Sequence, residues 1–141
     1  MLRSLGGLLL ALAACGGDST AVPSDSVRRV LFVGNSLTAA WELPALVAQV
    51  ALAAGDTLEV ASVTFDGASL DDHLLRGTAE EALRSGRWDV AVFQQGPTST
   101  AEGGAQLVQA MERFAPLVRA AGGRPALYMV WPTQDRVAYW D

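Results

Sequence analysis

Four apolar runs alternate along the chain with segments in which apolar residues recur at helical spacing. The runs cover residues 27–33, 57–65, 89–93 and 125–131. Their length and the β-branched residues in the first two predict buried strands. Between the first two runs, apolar residues from Leu43 to Ala54 predict a helix, with Pro44 in its first turn and Gly55 at its end.

The remaining helical segments carry their own start and stop signals. Residues 70–86 predict one or two short helices broken near Gly77, the second capped by Thr78 with Glu81 completing a capping box. Residues 107–121 predict a longer helix, which Pro116 is expected to kink or split.

Alternating strands and helices predict a parallel sheet with right-handed crossovers, an α/β sandwich. Ligands of such sheets bind at the carboxyl ends of the strands, so the residues that follow the strands are the candidates for chemistry. These segments are Gly34-Asn35-Ser36, Asp66-Gly67, Gln94-Gln95-Gly96 and Trp131-Pro132-Thr133.

Composition and charge narrow the class of protein. Half of the 141 residues are apolar and 18% are charged, which is typical of a globular chain rather than a disordered one. The net charge of −5 argues against a nucleic-acid partner, since the only adjacent basic pair is Arg28-Arg29.

The first residues have the layout of a secretory signal. Arg3 is followed by an apolar stretch of ten residues, 5–14. This stretch is too short to span a bilayer, because a transmembrane helix needs about 20 apolar residues. The ending Leu12-Ala13-Ala14-Cys15 resembles a bacterial lipobox, which implies a signal peptide over residues 1–14 and a lipid on Cys15. An ordinary signal peptide or a buried free Cys15 is the alternative.

The segment after Cys15 is small, polar and contains proline. We predict a flexible tether over residues 15–26 and a folded domain over residues 27–141. The protein would then be lipid-anchored and extracytoplasmic in a bacterial cell envelope, with the membrane as a partner through Cys15.

Ser36 is the candidate nucleophile. It would lie in a strand-to-helix turn that Gly34 permits, with Asn35 tying the loop through its side chain. A serine there can attack a carbonyl carbon while its own amide donates to the developing oxyanion. Gly67 could supply a second N–H, and a glutamine after the third strand could supply a third donor.

These segments resemble the SGNH/GDSL hydrolase superfamily. The stretch "VLFVGNSLT" is similar to the first block of that family, Gly-Asp-Ser with a Thr two residues on, with Asn35 in place of Asp. "FDGAS" places Gly67 where the second block has a glycine, and "WDVAVFQQGPTST" stands in the third block with glutamine instead of the usual Asn. "RPALYMVWPTQD" resembles the next strand of a bacterial branch.

The resemblance implies a fold and roles for these residues. The fold is a three-layer α/β/α sandwich with a parallel sheet, flavodoxin-like and incomplete. Ser36 would be the nucleophile, and its N–H, the Gly67 N–H and a glutamine side chain would form the oxyanion hole. Gln95 is preferred for the third donor, with Gln94 a close second.

The general base of the family, a histidine in a late Asp-x-x-His block, has no match in this sequence. A serine hydroxyl without an adjacent base is a weak nucleophile, so we expect that the C-terminal part of the domain is missing. The only histidine, His73, is expected to have a surface or helix-capping role rather than to act as the base. No metal site and no cofactor are expected.

Two functions follow from these residues. The first is a lipid-anchored serine ester hydrolase acting through an acyl-serine intermediate, with a small-molecule or carbohydrate ester as substrate, for example an acetylated carbohydrate. The second is a non-catalytic ligand- or carbohydrate-binding lipoprotein on the same fold. A nucleotide-binding function is disfavoured because the first strand lacks G-x-G-x-x-G.

Overall fold

The computed structural model describes residues 27–96 and 101–130. Along the chain these form β1 (Arg28–Gly34), α1 (Ser36–Ala39), a 3₁₀ turn (Ala40–Glu42), α2 (Leu43–Ala53), β2 (Leu58–Thr64), α3 (Leu70–Arg76), α4 (Thr78–Ser85), β3 (Val90–Phe93), α5 (Ala101–Ala120) and β4 (Arg124–Leu127). The predicted signal peptide, the tether and Cys15 lie outside the described residues and stay predictions.

The four strands form one parallel sheet in the order β2-β1-β3-β4, which confirms the predicted α/β fold. The chain moves from β1 to β2 in one direction across the sheet and from β2 to β3 to β4 in the other. Right-handed connections therefore place α2 on one face of the sheet and α3, α4 and α5 on the opposite face. The result is a three-layer arrangement in which β1 is an interior strand.

The main core lies between the sheet and the face covered by α3, α4 and α5. Alternate residues of β1 and β3 point into it, as the two-residue period of a strand requires. The buried members are Leu31, Val33, Leu70, Ala79, Leu83, Ala91, Phe93, Ala110, Phe114 and Val118. The Phe93 and Phe114 rings pack with their centroids 4.9 Å apart. This core fixes the positions at which β1 and β3 end.

Two predicted details of the helices are wrong. Gly77 has a left-handed φ of 74° and serves at once as the end of α3 and the N-cap of α4, so Thr78 is already helical and no side chain caps α4. The capping box is formed one helix earlier, by Ser69 and Asp72 at the start of α3. Of the kink or split predicted at Pro116, the split is wrong, since α5 runs without a break from Ala101 to Ala120; the kink stays a prediction.

One segment of the described chain, Ser36–Ala53, is long and apolar enough to cross a membrane. Length and composition alone are weak grounds for a membrane span. Here the segment is not one straight helix, because Trp41 and Glu42 have left-handed φ angles of 57° and 53°. Its second half, α2, packs against β2, so we assign the segment to the α/β domain.

Candidate active site

Ser36 lies at the carboxyl end of β1, on the side of the sheet where ligands of parallel α/β folds bind. In the sheet β1 lies between β2 and β3. The chain crosses the sheet in one direction from β1 to β2 and in the opposite direction from β2 to β3, so the direction reverses between β1 and β3. Such a reversal opens a crevice at the ends of the two strands. Ser36 is exposed, whereas its neighbours Gly34 and Asn35 are buried. The hydroxyl is therefore carried by a buried turn on the surface of the crevice.

Asn35 shapes this turn from within. It is the N-cap of α1 with extended backbone angles, and its side-chain Oδ1 accepts a hydrogen bond of 3.0 Å from the Leu37 N–H. Asparagine is among the residues favoured at this position because its short side chain reaches the second amide of the helix. The prediction that Asn35 ties the loop is confirmed.

Gln94 supports the same turn from the neighbouring strand. Its Oε1 accepts hydrogen bonds from the Asn35 N–H, at 3.0 Å, and from the Thr38 hydroxyl, at 2.9 Å. All three residues are 1–2% exposed. Thr38, two residues after Ser36, therefore has a structural role. Its hydroxyl donates to the Gln94 Oε1, which also accepts from the backbone N–H of Asn35 immediately before the serine.

Two glycines allow this close approach. A Cβ atom at Gly34 would collide with the Thr38 hydroxyl and the Gln94 amide oxygen. A Cβ atom at Gly96 would collide with the Asn35 amide nitrogen. The glycines are required by the space between β1 and β3 and not by their backbone angles, since neither has a positive φ.

The turn after β2 is joined to the Ser36 turn on both sides of Gly67. The Phe65 N–H donates to the Gly34 carbonyl at 3.3 Å, and the Asn35 Nδ2 donates to the Ala68 carbonyl at 3.0 Å. Gly67 itself has a φ of 66°, a left-handed angle that glycine adopts without strain. These bonds hold Gly67 beside the strand end that carries Ser36.

The backbone amides of Ser36 and Gly67 are both free to bind a ligand. Within residues 27–96 and 101–130, neither N–H donates a hydrogen bond. Both residues are exposed. Two unpaired N–H groups beside an exposed hydroxyl are the elements of an oxyanion-binding site.

The two glutamines differ in what their amide groups do. The Gln95 Oε1 accepts from the Leu70 N–H at 2.9 Å, and its Nε2 lies 3.4 Å from the Gln106 Oε1. The Nε2 of Gln94 is buried and has no hydrogen-bond partner among the described residues. Residues 97–100, which follow the two glutamines, lie outside the described residues, as does Trp131 with the segment after it.

His73 is not on the surface, and it does not cap a helix, so this prediction is wrong. The side chain is fully buried, and its Nε2 lies 2.8 Å from the Gly34 carbonyl oxygen. A carbonyl oxygen can only accept, so Nε2 carries the proton and Nδ1 is the bare nitrogen. Nδ1 has no partner within the described chain. The misleading signal was the adjacent Asp71-Asp72 pair, because helical spacing turns His73 toward the core while Asp72 caps the helix.

His73 also joins the site to α3 through an aromatic contact. Its ring packs at 5.3 Å from the Phe65 ring, and the Arg76 guanidinium lies 4.4 Å from the centre of the same Phe65 ring. Burial, with a smaller contribution from Arg76, lowers the pKa of His73 below its ordinary value, although the Gly34 carbonyl and Asp72 act in the other direction. His73 is therefore a neutral structural support under the Ser36 turn.

The lowered pKa of His73 predicts a loss of stability in mild acid. The unfolded chain binds a proton near the ordinary pKa of about 6.5, while the folded chain resists it, so the free energy of unfolding should be constant above about pH 6.5 and fall below it. Urea unfolding between about pH 7.5 and 5.5 measures this slope. Because His73 is the only histidine, His73→Gln should flatten the curve in that window. A wild-type curve that is already flat would contradict the assignment.

The described residues include no group of three or more His, Cys, Asp or Glu side chains placed to hold a metal ion. The polar groups that the fold does bring together are the Ser36 hydroxyl, two backbone amides and two glutamine amides. Sequence reasoning found these positions but missed the Thr38–Gln94 hydrogen bond and the role of His73. The signal that could have revealed the Thr38–Gln94 hydrogen bond is a threonine in the turn after β1 together with polar residues directly after the apolar strand β3.

Comparisons with known proteins gave matches among solved structures only. No family model and no curated protein matches the chain. A protein of Slackia heliotrinireducens assigned as an SGNH hydrolase matches with a TM-score of 0.64 and 26% identity over 77% of this chain. TesA matches with a TM-score of 0.61 and 25% identity over 79%. The lipase/acylhydrolase of Enterococcus faecalis matches with a TM-score of 0.55 and 18% identity over 80%, which shows the shared fold alone.

The chain is shorter than these proteins. It covers 59% of the Slackia heliotrinireducens protein, 66% of TesA and 63% of the Enterococcus faecalis enzyme.

Proposed function

The chain belongs to the SGNH/GDSL hydrolase superfamily, and from this membership we propose that it is a serine ester hydrolase with Ser36 as its nucleophile. The observation that carries the proposal is the exposed Ser36 at the end of β1, in a turn bonded to the Gly67 turn and to Gln94. This combination presents a hydroxyl beside unpaired amides at the edge where ligands bind.

In the proposed reaction, the Ser36 Oγ attacks the carbonyl carbon of an ester. The carbonyl oxygen becomes an oxyanion, which the Ser36 and Gly67 N–H groups and a glutamine amide would stabilise. Each such donor contributes about 3 kcal/mol in the transition state. The C–O bond then breaks, the alcohol leaves with the proton taken from Ser36, and water hydrolyses the acyl-serine to release the acid.

The third oxyanion donor is proposed to be Gln95 or Gln94. The Gln95 amide already pairs with Gln106 at 3.4 Å, a long bond that a substrate oxygen could replace. The Gln94 Nε2 has no such competitor within the described residues, but it is buried. Gln95→Ala distinguishes the two, because Gln94→Ala would also remove the acceptor that holds the Ser36 turn. Lost hydrolysis in folded Gln95→Ala would assign the donor to Gln95, and unchanged hydrolysis would assign it to Gln94.

We propose that the general base is a histidine in an Asp-x-x-His block that residues 1–141 do not contain. His73 does not fill this role, because its Nε2 is bound to the Gly34 carbonyl and its ring is fully buried. The coding sequence downstream of codon 141 tests the proposal. An in-frame Asp-x-x-His would supply the base.

We further propose that the protein is lipid-anchored through Cys15, extracytoplasmic, and acts on small-molecule or carbohydrate esters such as acetylated sugars. The support for the anchor and the location is the lipobox-like ending of residues 1–15. Expression of Cys15→Ser in a bacterial host should leave the precursor unprocessed. Normal processing of that variant would show that the anchor proposal is wrong.

The hydrolase proposal is tested with a fluorophosphonate probe, which forms a covalent bond with an activated serine. The gene product that includes the downstream Asp-x-x-His block should be labelled, and mapping of the labelled peptide should place the probe on Ser36. Hydrolysis of p-nitrophenyl acetate measured in parallel reports on turnover.

A second function, non-catalytic binding of a carbohydrate or other ligand, is favoured by one observation, the lack of a free imidazole among the described residues. A folded protein that binds acetylated sugars but is neither labelled nor able to hydrolyse esters would support this second function instead.

A further inference from the structure

Five arginines lie at the edge of the sheet where the strands begin, opposite the edge that carries Ser36. Arg28 and Arg29 begin β1 and Arg124 begins β4, while Arg87 precedes β3 and Arg119 lies in the last turn of α5. We call these five residues the basic edge.

The basic edge is the positive end of an otherwise acidic domain. Its strand starts and loops also hold three acidic residues, Asp56, Glu59 and Asp89, so five arginines against three acids leave a net charge of +2. The other described residues hold three arginines and eight acids, a net charge of −5. Arg84 is counted with that second group because it is bound to Glu80 at 3.0 Å. The described charge is therefore strongly polarised along the strand direction.

Most of the positive charge of this edge is unpaired. Arg29 forms an ion pair with Glu59 at 2.8 Å. The other four arginines form no ion pair with any residue the structure describes, and all four are exposed: Arg28, Arg87, Arg119 and Arg124. Arg29 and Arg87 also line a cavity of about 470 Å³ together with Trp88 and Asp89. The surface thus offers several free guanidinium groups, which bind phosphate oxygens well.

The predicted tether joins the domain at this same edge. Residues 15–26 lead into Val27, directly before the start of β1. Twelve residue steps from Cys15 to Val27 span at most about 40 Å when fully extended. A lipid on Cys15 would therefore keep the basic edge within about 40 Å of the bilayer surface, with the Ser36 edge on the far side of the sheet.

We propose that the basic edge docks on anionic phospholipid headgroups. The position of the tether in this inference rests on the proposed lipid anchor. Each arginine close to an anionic surface strengthens membrane binding about fivefold, and the attraction fades within roughly 10 Å at 0.1 M salt. The four unpaired arginines orient the anchored domain so that the crevice at Ser36 faces the aqueous compartment.

Vesicle co-sedimentation tests the docking without the lipid anchor. The chain of residues 15–141, which contains every described residue, is prepared with Cys15→Ser so that no lipid is attached. It should bind vesicles of phosphatidylcholine mixed with phosphatidylglycerol and not vesicles of phosphatidylcholine alone. Added salt should release it, because the attraction is electrostatic.

Charge-reversal variants locate the surface. Arg87→Glu combined with Arg124→Glu should weaken binding to the anionic vesicles about tenfold or more. Arg113→Glu, an exposed arginine in α5 away from the basic edge, is the matched control and should change binding less than about threefold. The pair Arg87→Gln and Arg124→Gln gives a milder loss and serves if the reversed pair does not fold.

Three results would overturn the docking. They are equal binding to both kinds of vesicle, equal loss in the Arg113→Glu control, and binding of soluble glycerophosphoglycerol without vesicle binding. Fluorophosphonate labelling of Ser36, measured without vesicles on the gene product that includes the downstream Asp-x-x-His block, reports on the hydrolase proposal separately. Loss of labelling with intact vesicle binding would reject only the enzyme, and the reverse would reject only the docking.

Discussion

Replacing Ser36 with alanine is expected to abolish covalent labelling by fluorophosphonates and to lower ester hydrolysis by about 10⁴-fold or more, because the only group that forms the acyl intermediate is removed. The hydroxyl is exposed, and none of the described hydrogen bonds of the turn depends on it. The free energy of unfolding should therefore change by less than about 0.5 kcal/mol. The measurements are labelling rate, steady-state hydrolysis and urea unfolding on the same preparations.

Ser62→Ala is the matched control for this experiment. Ser62 is an exposed serine on β2, away from the strand ends. It should keep wild-type labelling and hydrolysis. Labelling that persists in Ser36→Ala, or that is lost equally in Ser62→Ala, would show that the reactive group is not the Ser36 hydroxyl.

Much of the fold could be predicted because its strands carry strong local signals. β1 is an apolar run that is buried over its last five residues, as expected for an interior strand of a parallel sheet. Gly55 and Gly77 marked helix ends through their left-handed angles, which are a local property of the residue. The behaviour of α5 could not be predicted from Pro116 alone, because tertiary packing of Phe114 and Val118 holds the helix on both sides of the proline.

The candidate site was predictable in position but not in its internal bonds. That Ser36, Gly67 and the two glutamines follow strand ends is a property of the chain order, and a parallel sheet brings such ends to one edge. Which glutamine oxygen accepts from Thr38, by contrast, depends on the register of β1 against β3 and on the small volume at Gly34 and Gly96. Neither the strand register nor this volume can be predicted from a local sequence pattern.

The burial of His73 is another feature that local sequence patterns did not predict. A histidine beside two aspartates is typical of a solvated helix start, and this local pattern competes with a tertiary one. The Gly34 carbonyl has room for a second donor beside the Phe65 N–H, and the imidazole fills it. A buried polar side chain with one specific partner depends on the distance between α3 and β1, which sequence spacing does not give.

The strongest structural test of the site is Gln94→Leu. Leucine has a similar volume but no acceptor, so it would leave the buried Asn35 N–H and the buried Thr38 hydroxyl without their shared partner. An unsatisfied buried donor costs about 1–3 kcal/mol, and two of them should lower the free energy of unfolding by about 2–6 kcal/mol. Urea unfolding at neutral pH measures this loss.

Gln109→Leu is the control, since Gln109 is an exposed glutamine in α5 and the same change there should be near neutral.

The effect on the labelling of Ser36 separates a local role of Gln94 from a general loss of stability. At temperatures where both variants are fully folded, labelling of Ser36 should slow in Gln94→Leu and not in Gln109→Leu, because only the first loosens the backbone before Ser36. Thr38→Val should reproduce part of the slowing and Thr38→Ser should restore it, since serine keeps the hydroxyl that Gln94 accepts. Wild-type labelling in folded Gln94→Leu would mean that the turn is held by Asn35 alone and that the glutamine serves only the packing between β1 and β3.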